Sequence, residues 1–178
     1  MKAKVFVRTI LILVILSINI GCDQVSKSIV RHKMSNDTYI GFLDNHISLM
    51  KVENSGAFLS LGDSLSGPLK FILLNLLPLI AVTSGLIFIL IKTNLNRITL
   101  FAVILIVGGG IGNLYDRIVH GSVTDFMHIN FVIFQTGIFN VADLSIMAGM
   151  FILLIHAWIN RSNTEGQQPD KDKEAQAA

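Results

Sequence analysis

Two aspartates in this chain stand where a pair of carboxyls could do chemistry. Asp125 lies in Val123-Thr-Asp-Phe126 and Asp143 in Asn140-Val-Ala-Asp143. Two carboxyls brought close cannot both ionise: one keeps a proton and can polarise a carbonyl, while the other takes a proton from water. Their titration would belong to the pair. Other hydrolytic chemistries lack their parts. There is no His-Glu-x-x-His for zinc, and His32, His46, His120 and His128 have no nucleophile motif beside them. The glycines Gly108–Gly112 are not followed by the Lys-Ser/Thr of a phosphate loop. No metal and no cofactor is expected.

Each acid also has an ordinary structural reading. Asn140 and Asp143 are three apart on one helix face, so Asn140 can cap a helix with Asp143 as its third-residue partner. Asp125 can be a solvated loop acid. A third polar cluster, Asn113, Asp116 and Arg117, follows Gly108 and Gly112, whose spacing admits a close helix neighbour. There Arg117 is expected to keep Asp116 ionised, which suits it to a structural network rather than to proton sharing. Asp23 with Lys27, four residues on, and the turn Glu53-Asn54-Ser-Gly56-Ala-Phe58 complete the set. Singly these look like anchors and turns; together they fall at one edge of the membrane.

The membrane follows from composition. Of 178 residues 52% are hydrophobic and 15% charged, against about 25% charged in soluble domains, and mean hydropathy is +0.63. Apolar runs predict four spans, at about 5–21, 69–91, 98–112 and 139–159. The basic residues Lys2, Lys4, Arg8, Lys92, Arg97, Arg161, Lys171 and Lys173 outnumber those of the other side and place both termini in the cytoplasm. The connections at about 23–68 and 118–137 are then outside. Tyr39–Leu43 and Ile47–Val52, separated by Asp44-Asn45, read as a small hairpin, and Phe126–Phe134 as a strand or an interfacial strip. Residues 161–178 read as a disordered tail, and 1–160 as one domain. A net charge of +2 without a basic stripe gives no reason to expect nucleic-acid binding. The basic start and Ile20-Gly-Cys22 look like a lipoprotein signal, but Asn19 stands where that signal takes an apolar residue, and Asp23–Lys27 continues the helix. The segment is read as a retained span.

Taken in order, Asp23-Gln-x-Ser-Lys27, Asn54-Ser-Gly-Ala-Phe58, Gly109-Gly-x-Gly112-Asn113-x-x-Asp116-Arg117, Val123-x-Asp125-Phe126 and Phe139-Asn140-x-Ala142-Asp143 resemble the motifs of the bacterial lipoprotein signal peptidases, signal peptidase II. The resemblance implies a membrane all-α fold with a small β element, a four-transmembrane-helix bundle carrying an extracytoplasmic β-cradle. It implies a metal-free aspartic endopeptidase of the bacterial inner membrane, acting near the extracytoplasmic face. Such an enzyme cleaves a prolipoprotein just before its diacylglyceryl-modified cysteine. Asp125 and Asp143 match the catalytic dyad. Asn54, Gly56, Asn113, Arg117, Asn140 and Ala142 match positions that support the dyad or hold substrate and peptide inhibitors such as globomycin. Asp23, Lys27 and Asp116 match structural polar positions. At Gly56-Ala57-Phe58 the chain departs from the family's two alanines before the Phe, leaving Asn54 as the match. Membrane lipid is an expected partner, and a monomer the expected state. The alternatives are a small proton-coupled transporter or channel subunit, since intramembrane acids also line ion paths, and an assembly protein held by Gly108 and Gly112.

Overall fold

Apolar periodicity on this scale leaves the backbone one economical solution, a helix that satisfies its own hydrogen bonds in lipid. The computed structural model of the chain describes residues 2–56, 62, 65–131 and 133–165. Among them four helices are long and apolar enough to cross a bilayer: α1 (Lys2–Lys33), α2 (Gly67–Ile91), α3 (Arg97–His120) and α4 (Val141–Glu165). The chain is a multi-pass membrane protein. The apolar surface of α1, α2 and α4 points mostly outward, with 11–17% of each apolar stretch buried; α3 is 44% buried and forms the centre of the bundle. Its core is small, Ile12 and Leu16 of α1 meeting Ile89 of α2 and Ile104 and Val107 of α3. In lipid the outward-facing residues need no protein cover.

Three helices run longer than their apolar spans. α1 continues past the apolar stretch through Asp23–Lys27, as expected, and then beyond Lys27 to Lys33, because the polar residues of its last turns find partners inside the protein. α3 continues past Gly112 through Asn113–Arg117, as the spacing of Asn113, Asp116 and Arg117 on one helix face implies, and runs on to His120. α4 starts at Val141 rather than 139 and continues through Arg161 to Glu165, so the first residues assigned to the tail are helical. Residues 166–178 and Phe58 lie outside the described residues. Within α2 the turn Ile72–Leu76 is a π-helix. Pro78 follows it; lacking an N–H, proline cannot bond back to the preceding turn, and the wider turn accommodates its ring.

A four-stranded antiparallel sheet caps one end of the bundle, with β1 (Tyr39–Phe42), β2 (Ile47–Asn54), β3 (Val123–Phe131) and β4 (Phe134–Gln135) adjacent in that order. The β1–β2 hairpin turns through Leu43, Asp44 and Asn45, all at positive φ, a conformation Asp and Asn tolerate better than most residues. Between Leu49 and Val52 the register of β2 against β3 slips by one residue, a bulge that re-aims the end of β2.

The glycines of α3 decide how close the helices come. A Cβ on Gly108 would strike Asn19, one on Gly109 the Ala142 carbonyl, and one on Gly112 the Asp23 carboxylate. At the end of α3, Gly121 has φ 79° and donates its N–H to the Arg117 carbonyl at 3.1 Å. This left-handed cap turns the chain into β3. A Gly-to-Ala change inside a helix ordinarily stabilises by up to about 1 kcal/mol. Gly21→Ala, which meets nothing, is expected to leave the unfolding temperature in detergent unchanged or raised, whereas Gly112→Ala is expected to lower it.

Candidate active site

The site begins with a buried cation. Lys27 on α1 is 0% exposed, and its Nζ has three partners: Asp23 Oδ2 at 2.8 Å, Asp116 Oδ2 at 2.9 Å and Asn113 Oδ1 at 2.9 Å. An ammonium has three protons to donate, so all are used. Asp23 then reaches α4, its Oδ1 accepting the Ala142 backbone N–H at 2.9 Å. Gln24 donates to Asp23, to the Gly112 carbonyl and to Asp116. Arg31, a further turn along α1, pairs with Asp116 at 2.8 Å and donates to Thr124 Oγ1 on β3 at 2.7 Å. Thr124 in turn donates to Glu53 of β2 at 2.9 Å. One face of α1 thus fixes α3, α4 and the sheet.

Asp125 and Asp143 meet across Asn140. The chain before α4 is pinned to β3, with the Phe139 N–H donating to the Met127 carbonyl at 2.8 Å and the Phe139 carbonyl accepting from Phe126 and Met127 at 3.1 and 2.8 Å. The next residue, Asn140, is therefore held beside Asp125. It is 0% exposed, and its Nδ2 donates to Asp125 Oδ1 at 2.6 Å and to Asn113 Oδ1 at 3.2 Å. Its other atoms close a capping box: the Asp143 N–H donates to Asn140 Oδ1 at 3.0 Å, and the Asn140 N–H to Asp143 Oδ2 at 3.2 Å. The capping expected from the sequence is thus present together with the pairing, because Asp143 still has Oδ1, which accepts from Asn113 Nδ2 at 2.8 Å.

Asp125 is 3% exposed. Asn54 Nδ2 donates to its Oδ2 at 2.9 Å, and Asn54 Oδ1 accepts the Gly56 N–H at 3.0 Å. Burial pushes the Asp125 carboxyl up from 3.8 to about 6; the donors of Asn54 and Asn140 favour the charged form and restrain the rise, and the charge of Asp143 adds to it. A cleft of about 470 Å³ lies between the paired strands β2 and β3 (Val52, Asn54, Asp125 and His128) and the segment 135–138, and it reaches Asp125 and Asn54. Asp143, half-buried, is not among its lining residues.

Arg117 corrects the expectation for Asp116. Its Nη2 donates to the Gly56 carbonyl at 2.9 Å, while Asp116 is neutralised by Lys27 and Arg31. Consecutive residues on a helix do not face each other, so chain adjacency was no guide to the pair. Gly56 and Ala142 enter the network by their backbones. Arg31, Thr124 and Asn19 were not anticipated as contributors. Asn19 bridges three helices, donating to the Leu105 carbonyl at 3.3 Å and accepting from Ser145 at 2.9 Å. Their signal is spacing: Asn19, Asp23, Lys27 and Arg31 recur every four residues along one helix face. Among the described residues no cluster of His, Cys, Asp and Glu could hold a metal ion.

A family model described as Signal peptidase (SPase) II matches residues 13–159. The lipoprotein signal peptidase of Borrelia duttonii (strain Ly) is 33% identical over 150 residues, covering 81% of this chain and 87% of that protein. The lipoprotein signal peptidase of Streptococcus agalactiae serotype III (strain NEM316) is 34% identical over 157 residues, covering 88% and 97%. A bacterial membrane enzyme structure obtained by the in meso method at 2.3 Å superposes with a TM-score of 0.76 over 90% of this chain and 93% of the other, at 24% identity. A second, at 1.9 Å, gives 0.71 over 82% and 91%, at 25% identity.

Two outcomes follow from the geometry. Lys27→Met leaves the buried Asp23 carboxylate without a cation and Asp116 with Arg31 alone, and removing one partner of a buried pair costs about 3–5 kcal/mol. Chemical denaturation in detergent should show a loss of that size. Because the folded protein holds the Asp125 proton more tightly than the unfolded chain, the stability from this residue is full below 3.8 and is lost as pH rises through about 6. Unfolding temperature measured against pH should show this slope, and Asp125→Asn should flatten it.

Proposed function

The chain belongs to the signal peptidase II family, and from that premise we propose that it removes signal peptides from diacylglyceryl-modified prolipoproteins with Asp125 and Asp143 as its catalytic pair. The observation that carries this reading is Asn140: its side chain holds Asp125 while its backbone N–H holds Asp143. The amides of Asn54, Asn113 and Asn140 line the two acids, and neither makes an ion pair among the described residues. Lys27 and Arg117 act on them only through space, and a directly paired cation would favour ionisation more strongly. Amide donors orient them and leave room for one shared proton.

In that reaction water attacks the scissile carbonyl carbon. One carboxylate takes the water proton, and the other, protonated, gives its proton to the carbonyl oxygen. Collapse of the tetrahedral intermediate breaks the C–N bond as the leaving nitrogen takes up a proton, yielding a new carboxyl end and a free amino group on the lipidated cysteine. Asn54 orients Asp125, and Arg117 fixes the Gly56 turn behind Asn54. The cleft between the β2–β3 face and the segment 135–138 is the proposed approach for peptide, and for inhibitors such as globomycin.

Residues 1–160 are the proposed peptidase domain, a monomer in the bacterial inner membrane with both termini cytoplasmic. The positive-inside argument supports that orientation, and the polar network then lies at the extracytoplasmic end. Transport has little support, since the chain has no Asp or Glu from Ser64 to Tyr115, through all of α2 and most of α3.

Asp125→Asn and Asp143→Asn should each reduce cleavage of a lipidated precursor by purified protein by about 10²–10⁴-fold, the range for a lost acid–base group, with EDTA having no effect. Wild-type rates from both variants would rule out the pair. Asn140→Ser keeps a capping oxygen but removes the donor to Asp125 Oδ1. With less support for the charged form, the alkaline limb of kcat/KM, expected near pH 6 in the wild type, should move upward in this variant.

A further inference from the structure

The end of the bundle opposite the sheet carries a second hollow that peptide cleavage does not use. A groove of about 860 Å³ opens between α1 and α3 beside the 92–97 loop. Its wall is apolar, with Leu11, Leu100 and Phe101, and three cations stand along it: Lys4, Arg8 and Arg97. Arg8 is fixed there, its Nη2 donating to the Ile89 carbonyl at 2.8 Å and the Lys92 carbonyl at 2.7 Å at the end of α2. Carbonyls accept its protons without cancelling its charge. Among the described residues none of the three cations pairs with a carboxylate. The segments that line the groove offer none: residues 1–22 and 64–115 contain neither Asp nor Glu. An apolar trough ending in uncompensated positive charge matches a molecule with an acyl chain and an anionic head.

We propose that this groove binds an anionic phospholipid of the surrounding leaflet, with an acyl chain against Leu11, Leu100 and Phe101 and the headgroup phosphate beside Lys4, Arg8 and Arg97. The site is separate from the proposed peptidase centre and does not rest on that reading. Each juxtamembrane cation contributes attraction to anionic lipid, so a preference of about tenfold for phosphatidylglycerol over phosphatidylcholine is expected.

Native mass spectrometry of the full chain, released from micelles holding equal amounts of the two lipids, reads this preference directly. The wild type should retain phosphatidylglycerol about tenfold over phosphatidylcholine. The Lys4→Gln/Arg97→Gln variant should lower the ratio to about twofold, the share left by Arg8, while keeping its unfolding temperature without lipid. Leu100→Trp, which fills the trough and leaves every charge in place, should lower retention of both lipids. Lys33→Gln, at the other end of α1, should change nothing. Equal retention by the wild type would overturn the proposal. So would an unchanged preference in the double variant, or an equal loss in Lys33→Gln, which would mark a general effect of net charge.

Discussion

A lysine ammonium removed from water must find an acceptor for each of its protons and a counter-charge for itself, and Lys27 meets both demands through three different partners. Asp23 lies on its own helix, while Asp116 and Asn113 lie on α3. Because Asp23 also takes the Ala142 N–H, the cation fixes the position of α4 without touching it. Desolvating two carboxylates and an ammonium is expensive. The arrangement persists because every lone pair facing Lys27 has a donor, and because Gly112 lets α1 come close enough for Asp23 to reach. The same cluster sets the depth of Arg31, and through Thr124 the position of β3.

Away from that cluster the character of the polar groups changes. Around Lys27 the contacts are charge to charge. Around Asp125 and Asp143 they are amide to carboxylate, and Asn113 stands at the boundary, its oxygen toward Lys27 and its nitrogen toward Asp143. The two parts therefore act differently, ion pairs holding the helices together and amides orienting the acids. The β2 bulge contributes to that orientation, since past the slip Val52 lies opposite Asp125, and Asn54, two residues on, reaches that carboxylate.

Much of this was legible in the sequence because it depends on local spacing. The Asp23–Lys27 pair is an i,i+4 contact, the Asn140–Asp143 box an i,i+3 contact, and the hairpin follows from Asp44-Asn45 between two β-type runs. The four helices followed from apolar length. The parts that escaped are set by groups distant in sequence. The helical register was legible only as far as Lys27, which hid Arg31, because a polar helix end looks like a loop until its partners on α3 are known. Asp116 was given to Arg117 by adjacency, whereas helix geometry sends the two side chains to different neighbours. Asn19 stood out only as a residue unsuited to a lipoprotein signal, yet it links α1 to the Leu105 carbonyl and Ser145. The bulge depends on pairing with β3, more than 70 residues away in the chain, and no local pattern marks it.

The amide of Asn113 has a consequence for proton traffic. Lys27 and Asp143 touch opposite ends of one carboxamide, and a carboxamide neither gains nor loses a proton near neutral pH, unlike a histidine or a water in the same place. Asn140, between Asp125 and Asn113, is another such block. The network therefore transmits electric field but does not conduct protons. A proton held by the two acids cannot drain into the salt-bridge cluster through these amides, and the route left to it is exchange with whatever occupies the cleft.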